Sequence, residues 1–293
     1  MSPDPDYELF SDHDLSQQMM PRAAVPDHER WLTDDLALSD GVKERLSVLR
    51  NQRYGDGPRQ LADLFPASRP TSSALRGTAP IVVFYHGGFW RALSKNHVGH
   101  VVGPLAQAGV ACVLPGYDLC PSVSLRTVVT EAKQALLWTR QQAARLNADP
   151  DRIYVAGNSA GAHLAAMMMA EDWTAHGLAR VPIAGAILVT GIYDLRALPR
   201  IQVNEDVRLA AEDISALSPQ FLPLHCRVPT IVAVGGAEPP LWVDQSRRFA
   251  SKLSATGADV RLMEIPGLHH FSITQSLSDS TAPLTRAILD LVH

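Results

Sequence analysis

The chain has 293 residues, 46% of them hydrophobic and 19% charged, which excludes a disordered or fibrous chain and describes a globular protein with a large core. A net charge of -4 from 26 basic and 30 acidic residues gives no electrostatic ground for binding nucleic acid or an anionic membrane, so the expected partner is a small molecule. The three cysteines, Cys112, Cys120 and Cys226, show no CxxC or Cys/His ligand spacing, which argues against a disulfide framework or a zinc site and leaves free thiols.

The opening Met1-Ser2-Pro3-Asp4-Pro5-Asp6 is acidic and lacks the basic segment and apolar run of a secretion signal, so a cytoplasmic location is expected. Residues 1–53 are polar and punctuated by proline, with a helix expected from Leu38 to Gln52 behind the cap Ser39; this segment is expected to cover the mouth of a site. A weak strand at Arg59 to Leu64 would add an antiparallel edge. Short apolar β-rich runs then alternate with amphipathic stretches. The expected strands are Ile81 to Tyr85, Ala111 to Leu114, Ile153 to Ala156, Ala184 to Val189, Thr230 to Val234 and Val260 to Glu264. Between and after them, helices are expected at Val98 to Ala108, Leu125 to Leu146, Ala160 to Glu171, Trp242 to Ala255 and Ala282 to Val292. That alternation predicts an α/β domain over residues 54–293, with a mostly parallel sheet and helices on both faces. No repeat, low-complexity tract or linker divides the chain, so a single domain is expected overall. The most apolar stretch, Val181 to Val189, has roughly half of the ~20 residues needed to cross a bilayer and reads as a buried strand.

The chemistry-bearing residues fall at the ends of these strands. His86-Gly87-Gly88-Phe89-Trp90 follows the strand ending at Tyr85 and matches an HGGG-type oxyanion loop, in which glycines let backbone amides approach a substrate oxygen. Phe89 stands where a third glycine is usual, so the donors are assigned to Gly87 and Gly88, with His86 bracing the loop. Gly157-Asn158-Ser159-Ala160-Gly161 lies directly after a strand and before an apolar helix, the setting of a nucleophile elbow. Ser159 is the expected nucleophile, and the Ala160 amide the third oxyanion donor. In the chain order of such hydrolases an acid and then a histidine follow. Glu238, in the loop after the strand Thr230 to Val234, is favoured as acid over Asp244 inside the next helix. Asp194 follows the strand between nucleophile and acid, a place where some serine enzymes also carry an acid, and its plainer role is a helix cap. His269 and His270 both stand at the position of the base. Phe89, Trp90 and Tyr117 on strand-end loops are candidates for an aromatic wall around an aryl substrate. His163 reads as a packed helix residue, and His97 and His100 find no third ligand at metal-site spacing. No phosphate- or dinucleotide-binding glycine motif is present, so neither a metal nor a cofactor is expected.

These motifs, with Tyr117-Asp118-Leu119-Cys120-Pro121, Ala162-His163-Leu164, Gly191-Ile192-Tyr193-Asp194-Leu195 and His270-Phe271-Ser272-Ile273, resemble the arylformamidases, or kynurenine formamidases, of the esterase/lipase branch of the α/β-hydrolase fold. The likeness runs in order from about Tyr54 to Ile273. It implies hydrolysis of N-formylkynurenine to kynurenine and formate, a step of tryptophan catabolism, through a formyl-enzyme on Ser159 and without a cofactor. It selects His270 as the base and places Glu238 where the family has aspartate. Homodimers are common in that family. Two departures, Asn158 in place of histidine and Glu238 in place of aspartate, leave room for the alternative of a carboxylesterase acting on short-chain acyl esters.

Overall fold

The computed structural model describes residues 5–68 and 79–293. The chain begins with helices α1 (Asp12–Met19), α2 (Pro21–Ala24) and α3 (His28–Arg45), followed by strand β1 (Leu49–Arg53). The helix expected at Leu38 to Gln52 is therefore misplaced. It begins well upstream, Ser39 lies inside it, and its expected end is strand. The cause is that α3 buries polar residues, Asp35, Ser39 and Lys43 beside Val42, so its inner stripe is hidden from a hydrophobicity pattern. Each polar group has a partner: Ser39 Oγ accepts from the His100 amide at 3.0 Å, and the Lys43 ammonium meets Asp63 at 3.2 Å.

The remaining elements follow the expected alternation: β2 (Leu61–Phe65), β3 (Ala79–Tyr85), α4 (Val102–Gln107), β4 (Ala111–Pro115), α5 (Leu125–Gln141), β5 (Ala148–Asn158), α6 (Ala160–Ala170) and β6 (Gly185–Val189). Two short helices, α7 (Asn204–Val207) and α8 (Ala211–Ala216), precede β7 (Thr230–Gly235), α9 (Pro240–Ala255), β8 (Val260–Ile265), α10 (His270–Gln275) and α11 (Pro283–Val292).

Among the described residues the strands form one sheet in the order β1-β2-β4-β3-β5-β6-β7-β8. β1 pairs with β2 and β2 with β4 antiparallel; every other pair is parallel. The sheet thus takes in β1, upstream of the boundary expected at residue 54, and β1 rather than β2 is its antiparallel edge. From β3 the chain moves outward to β4 and then returns to the other side of β3 as β5. That reversal opens a crevice beyond the carboxyl ends of β3 and β5, the usual ligand site of open α/β sheets.

The central strands are apolar throughout because both faces are covered. Ile81, Val83, Tyr85, Val155, Leu188 and Val232 point to one face, where α5, α6 and α9 pack with the α1 residues Leu15 and Met19. Val82, Phe84, Tyr154, Ile187 and Ile231 point to the other, against α4, α11 and Val42 of α3. The first segment is tied down by Arg200, whose guanidinium donates to the Tyr7 carbonyl at 2.8 Å and the Phe10 carbonyl at 2.6 Å and pairs with Asp12.

Candidate active site

Ser159 sits between β5 and α6 with φ 56° and ψ -121°, a backbone conformation that non-glycine residues rarely adopt. Such strain costs about 1–3 kcal/mol and persists only where the surroundings enforce it. Here the Ser159 amide donates to the Val189 carbonyl of β6 at 2.9 Å, and the Ser159 carbonyl accepts from His163 at 3.1 Å to start the helix. The turn also needs a bare residue at Gly161, where a Cβ would lie 1.9 Å from the Tyr85 carbonyl oxygen. The tight contact brings the end of β3 against the start of α6, so the free amides of a helix N-terminus face the crevice.

The loop after β3 supplies the facing wall. A Cβ on Gly87 would stand 3.2 Å from Ser159 Cβ, which places this backbone directly beside the serine. Gly88 has φ +112°, and a side chain there would run into the Ala92 carbonyl at 2.2 Å. Phe89 and Trp90 continue in the left-handed region with φ 49° and 56°. Phe89 lines the cavity; Trp90 and Tyr117 do not, contrary to the aromatic wall expected of them. Both rings are fully buried beneath the loop. Trp90 packs edge-on against His163, with ring centroids 4.8 Å apart, and Tyr117 stacks on His86 at 4.1 Å while its hydroxyl donates to the His86 carbonyl. They are supports that hold the loop at its strained angles. Burial drives the His86 imidazole down to about 3 and that of His163 to about 4, so both are neutral braces.

His270 opens α10, and its Nδ1 lies 2.7 Å from Glu238 Oε2. The other carboxylate oxygen accepts from the Gly235 amide at 3.0 Å and from the Thr190 hydroxyl, which also lies 3.1 Å from His270 Nδ1. Trp242 stands edge-on to the imidazole at 4.7 Å and donates its indole N–H to the Thr190 carbonyl at 3.0 Å. Glu238, His270 and Thr190 are all buried. The other two candidate acids point elsewhere. Asp244 pairs with Arg248 one helical turn on, at 2.7 Å. Asp194 is enclosed by Arg196, Arg248 and the Tyr7 hydroxyl, and closes a turn with the Arg196 amide instead of capping a helix. His269 caps α10, its Nδ1 accepting from the Phe271 and Ser272 amides, and packs edge-on against Trp31. No sequence motif marks Thr190 or Trp242 as part of this site. A threonine after an apolar strand carries no motif, and only its position at the end of β6 beside β7 marks it.

Ser159, His270, Gly87, Gly88, Phe89 and Asn158 line one cavity. The first segment also lines it, through Met20, Pro21 and Arg22 around α2 and Leu32 and Asp35 from α3. Among the described residues no group of three or more His, Cys, Asp or Glu could hold a metal ion, and no helix is long and apolar enough to cross a membrane. The three cysteines are buried and unpaired.

Residues 82–274 match a family model described as alpha/beta hydrolase fold. The kynurenine formamidase of Salmo salar is 31% identical over 97% of this chain and 94% of its own length. Carboxylesterase NlhH of Mycobacterium tuberculosis is 32% identical over 78% of this chain and 76% of its own. Among solved structures, a thermostable carboxylesterase cloned from a metagenomic library superposes with a TM-score of 0.71 at 20% identity, over 97% of this chain and 95% of that one, a likeness of fold.

Proposed function

The chain belongs to the alpha/beta hydrolase fold family as an arylformamidase-like hydrolase, and from that premise we propose that it hydrolyses an aryl formamide, N-formylkynurenine, to kynurenine and formate through a formyl-enzyme on Ser159. His270 Nε2 takes the Ser159 hydroxyl proton as Oγ attacks the formyl carbon. The amides of Gly87, Gly88 and Ala160 hold the oxyanion. When the tetrahedral adduct collapses, the carbon–nitrogen bond breaks and His270 returns the proton to the departing aryl amine. Water, deprotonated by the same imidazole, then attacks the formyl carbon, the carbon–Oγ bond breaks to release formate, and the imidazole returns its proton to Ser159 Oγ. Glu238 holds the imidazole by Nδ1–H and stabilises its protonated form, and Thr190 holds Glu238.

The substrate reading rests on the near-full-length similarity to a kynurenine formamidase. The second reading, a carboxylesterase acting on short acyl esters, is favoured by the similarity to carboxylesterase NlhH and uses the same residues. An amide leaving group needs protonation where an activated ester does not. The two therefore separate on kcat/KM for N-formylkynurenine against p-nitrophenyl acetate: the formamide should win, with activity surviving a strong chelator. Turnover of the acetate alone would leave the esterase reading in its place.

A further inference from the structure

Asp35 is a buried carboxylate on the wall of the cavity, and its surroundings do not balance its charge. Its nearest donor is the neutral Gln275 amide at 3.2 Å. Among the described residues the cation-capable group beside it is His100, whose Nδ1 lies 3.9 Å away and whose imidazole burial pushes down to about 4, uncharged at neutral pH. Burial also raises the Asp35 carboxyl to about 7, the mark of an acid lacking a counter-charge. Arg22, which lines the same cavity, is exposed and makes no ion pair or side-chain hydrogen bond among the described residues. The other arginine of the cavity, Arg91, is already neutralised by Asp206. The remaining titratable groups there are also occupied, His270 by Glu238 and His97 by the Ser94 hydroxyl at 3.2 Å.

We propose that Asp35 and Arg22 form a subsite for the α-amino-acid end of the substrate, Asp35 receiving its ammonium and Arg22 its carboxylate, while the formamide lies against Ser159. The subsite rests on the formamidase reading and sharpens it. A cavity for a small acyl ester has no use for one unbalanced anion and one unpaired cation, whereas an aryl formamide bearing a zwitterion supplies both missing charges. Its ammonium replaces the absent partner of a carboxylate with little exposure to water, where such a pair is stronger than on the surface.

The test compares N-formylkynurenine with 2-formamidoacetophenone, which keeps the ring, ketone and formamide and lacks the amino-acid end. The ratio of kcat/KM for the two, measured on one enzyme preparation, is insensitive to partial unfolding. Wild-type enzyme should favour N-formylkynurenine by tenfold or more, and Asp35→Asn and Arg22→Gln should each cut that ratio by on the order of tenfold. An unchanged ratio in either variant, or a larger fall in Arg91→Gln than in Arg22→Gln, overturns the subsite. Wild type that hydrolyses both formamides equally also overturns it and leaves the formamidase reading intact; wild type that hydrolyses neither ends that reading and the subsite with it.

Discussion

Glu238→Gln is the substitution whose effect the geometry fixes most closely. Glu238 Oε1 is met by the Gly235 amide at 3.0 Å and by the Thr190 hydroxyl, and Oε2 is met by His270 Nδ1 at 2.7 Å. A glutamine must put its NH2 group in one of those places. The Gly235 N–H cannot turn away, so an NH2 there would set two donors face to face at a cost of about 1–3 kcal/mol. The amide therefore turns its NH2 toward His270, donates to Nδ1 and drives the imidazole proton onto Nε2. That nitrogen then has no lone pair for the Ser159 hydroxyl. Loss of the acid in triads of this kind costs about 10³–10⁴ in rate, or roughly 4–5.5 kcal/mol. The assay is the second-order rate of labelling by a serine-directed phosphonate, which reads the nucleophile itself and holds whichever substrate is natural. Glu238→Asp, which keeps the charge, should lose much less, and Asp244→Asn should cost less than threefold. A loss under tenfold in Glu238→Gln, or a greater loss in Asp244→Asn or Asp194→Asn, would refute the assignment.

Ser159→Ala should take up no phosphonate while folding normally, and labelling at the wild-type rate would remove Ser159 as nucleophile. Because the turn holds φ 56° and ψ -121°, Ser159→Gly should unfold at higher urea than Ser159→Ala by about 1 kcal/mol, and equal midpoints would mean the elbow stores no strain. Gly88→Ala, with a Cβ 2.2 Å from the Ala92 carbonyl and φ +112°, should lower stability by about 1–3 kcal/mol and labelling by tenfold or more; wild-type behaviour would detach this turn from the oxyanion site. The Asp35 carboxyl is held at about 7 against an ordinary 3.8, so the folded protein binds this proton more tightly than the unfolded chain and loses stability as pH rises between those values. Asp35→Asn should therefore be stabilising by up to about 4 kcal/mol at pH 8, with the gain vanishing near pH 4; a gain that is flat with pH would refute this.

The strands were legible because a sheet covered on both faces writes itself as apolar runs, as at Ile81 to Tyr85 and Thr230 to Val234. Ser159 and Gly87 followed from their motifs and Glu238 from its place in the chain order, while only the resemblance to the arylformamidases selected His270 over His269; the structure brings Ser159, His270 and Gly87 around one cavity with Glu238 bonded to the imidazole. Helix α3 was misread because Asp35, Ser39 and Lys43 occupy its buried stripe, each held by a partner distant in sequence. Depth was equally hidden: nothing in the sequence separates Phe89, which reaches the cavity, from Trp90 beneath it. The position of Thr190 is hidden for the same reason, since its value comes from standing where β6 ends beside β7 and not from any motif.

Part of the cavity lining comes from residues 20–35, outside the sheet, just after a stretch at Tyr7 to Asp12 that Arg200 ties to a loop far along the chain. Under the proposed subsite, recognition of the amino-acid end and bond-breaking fall on separate stretches of polypeptide. Under the same proposal, a lineage can exchange Met20, Arg22 or Leu32 and admit a different substrate, whereas Asp35, bonded to Gln275 of the helix that His270 opens, is shared by both parts. The same separation suits directed evolution: a library confined to this short stretch searches substrate range while the reactive groups stay constant, and because the stretch precedes the first strand its variants leave the central strand pairings untouched.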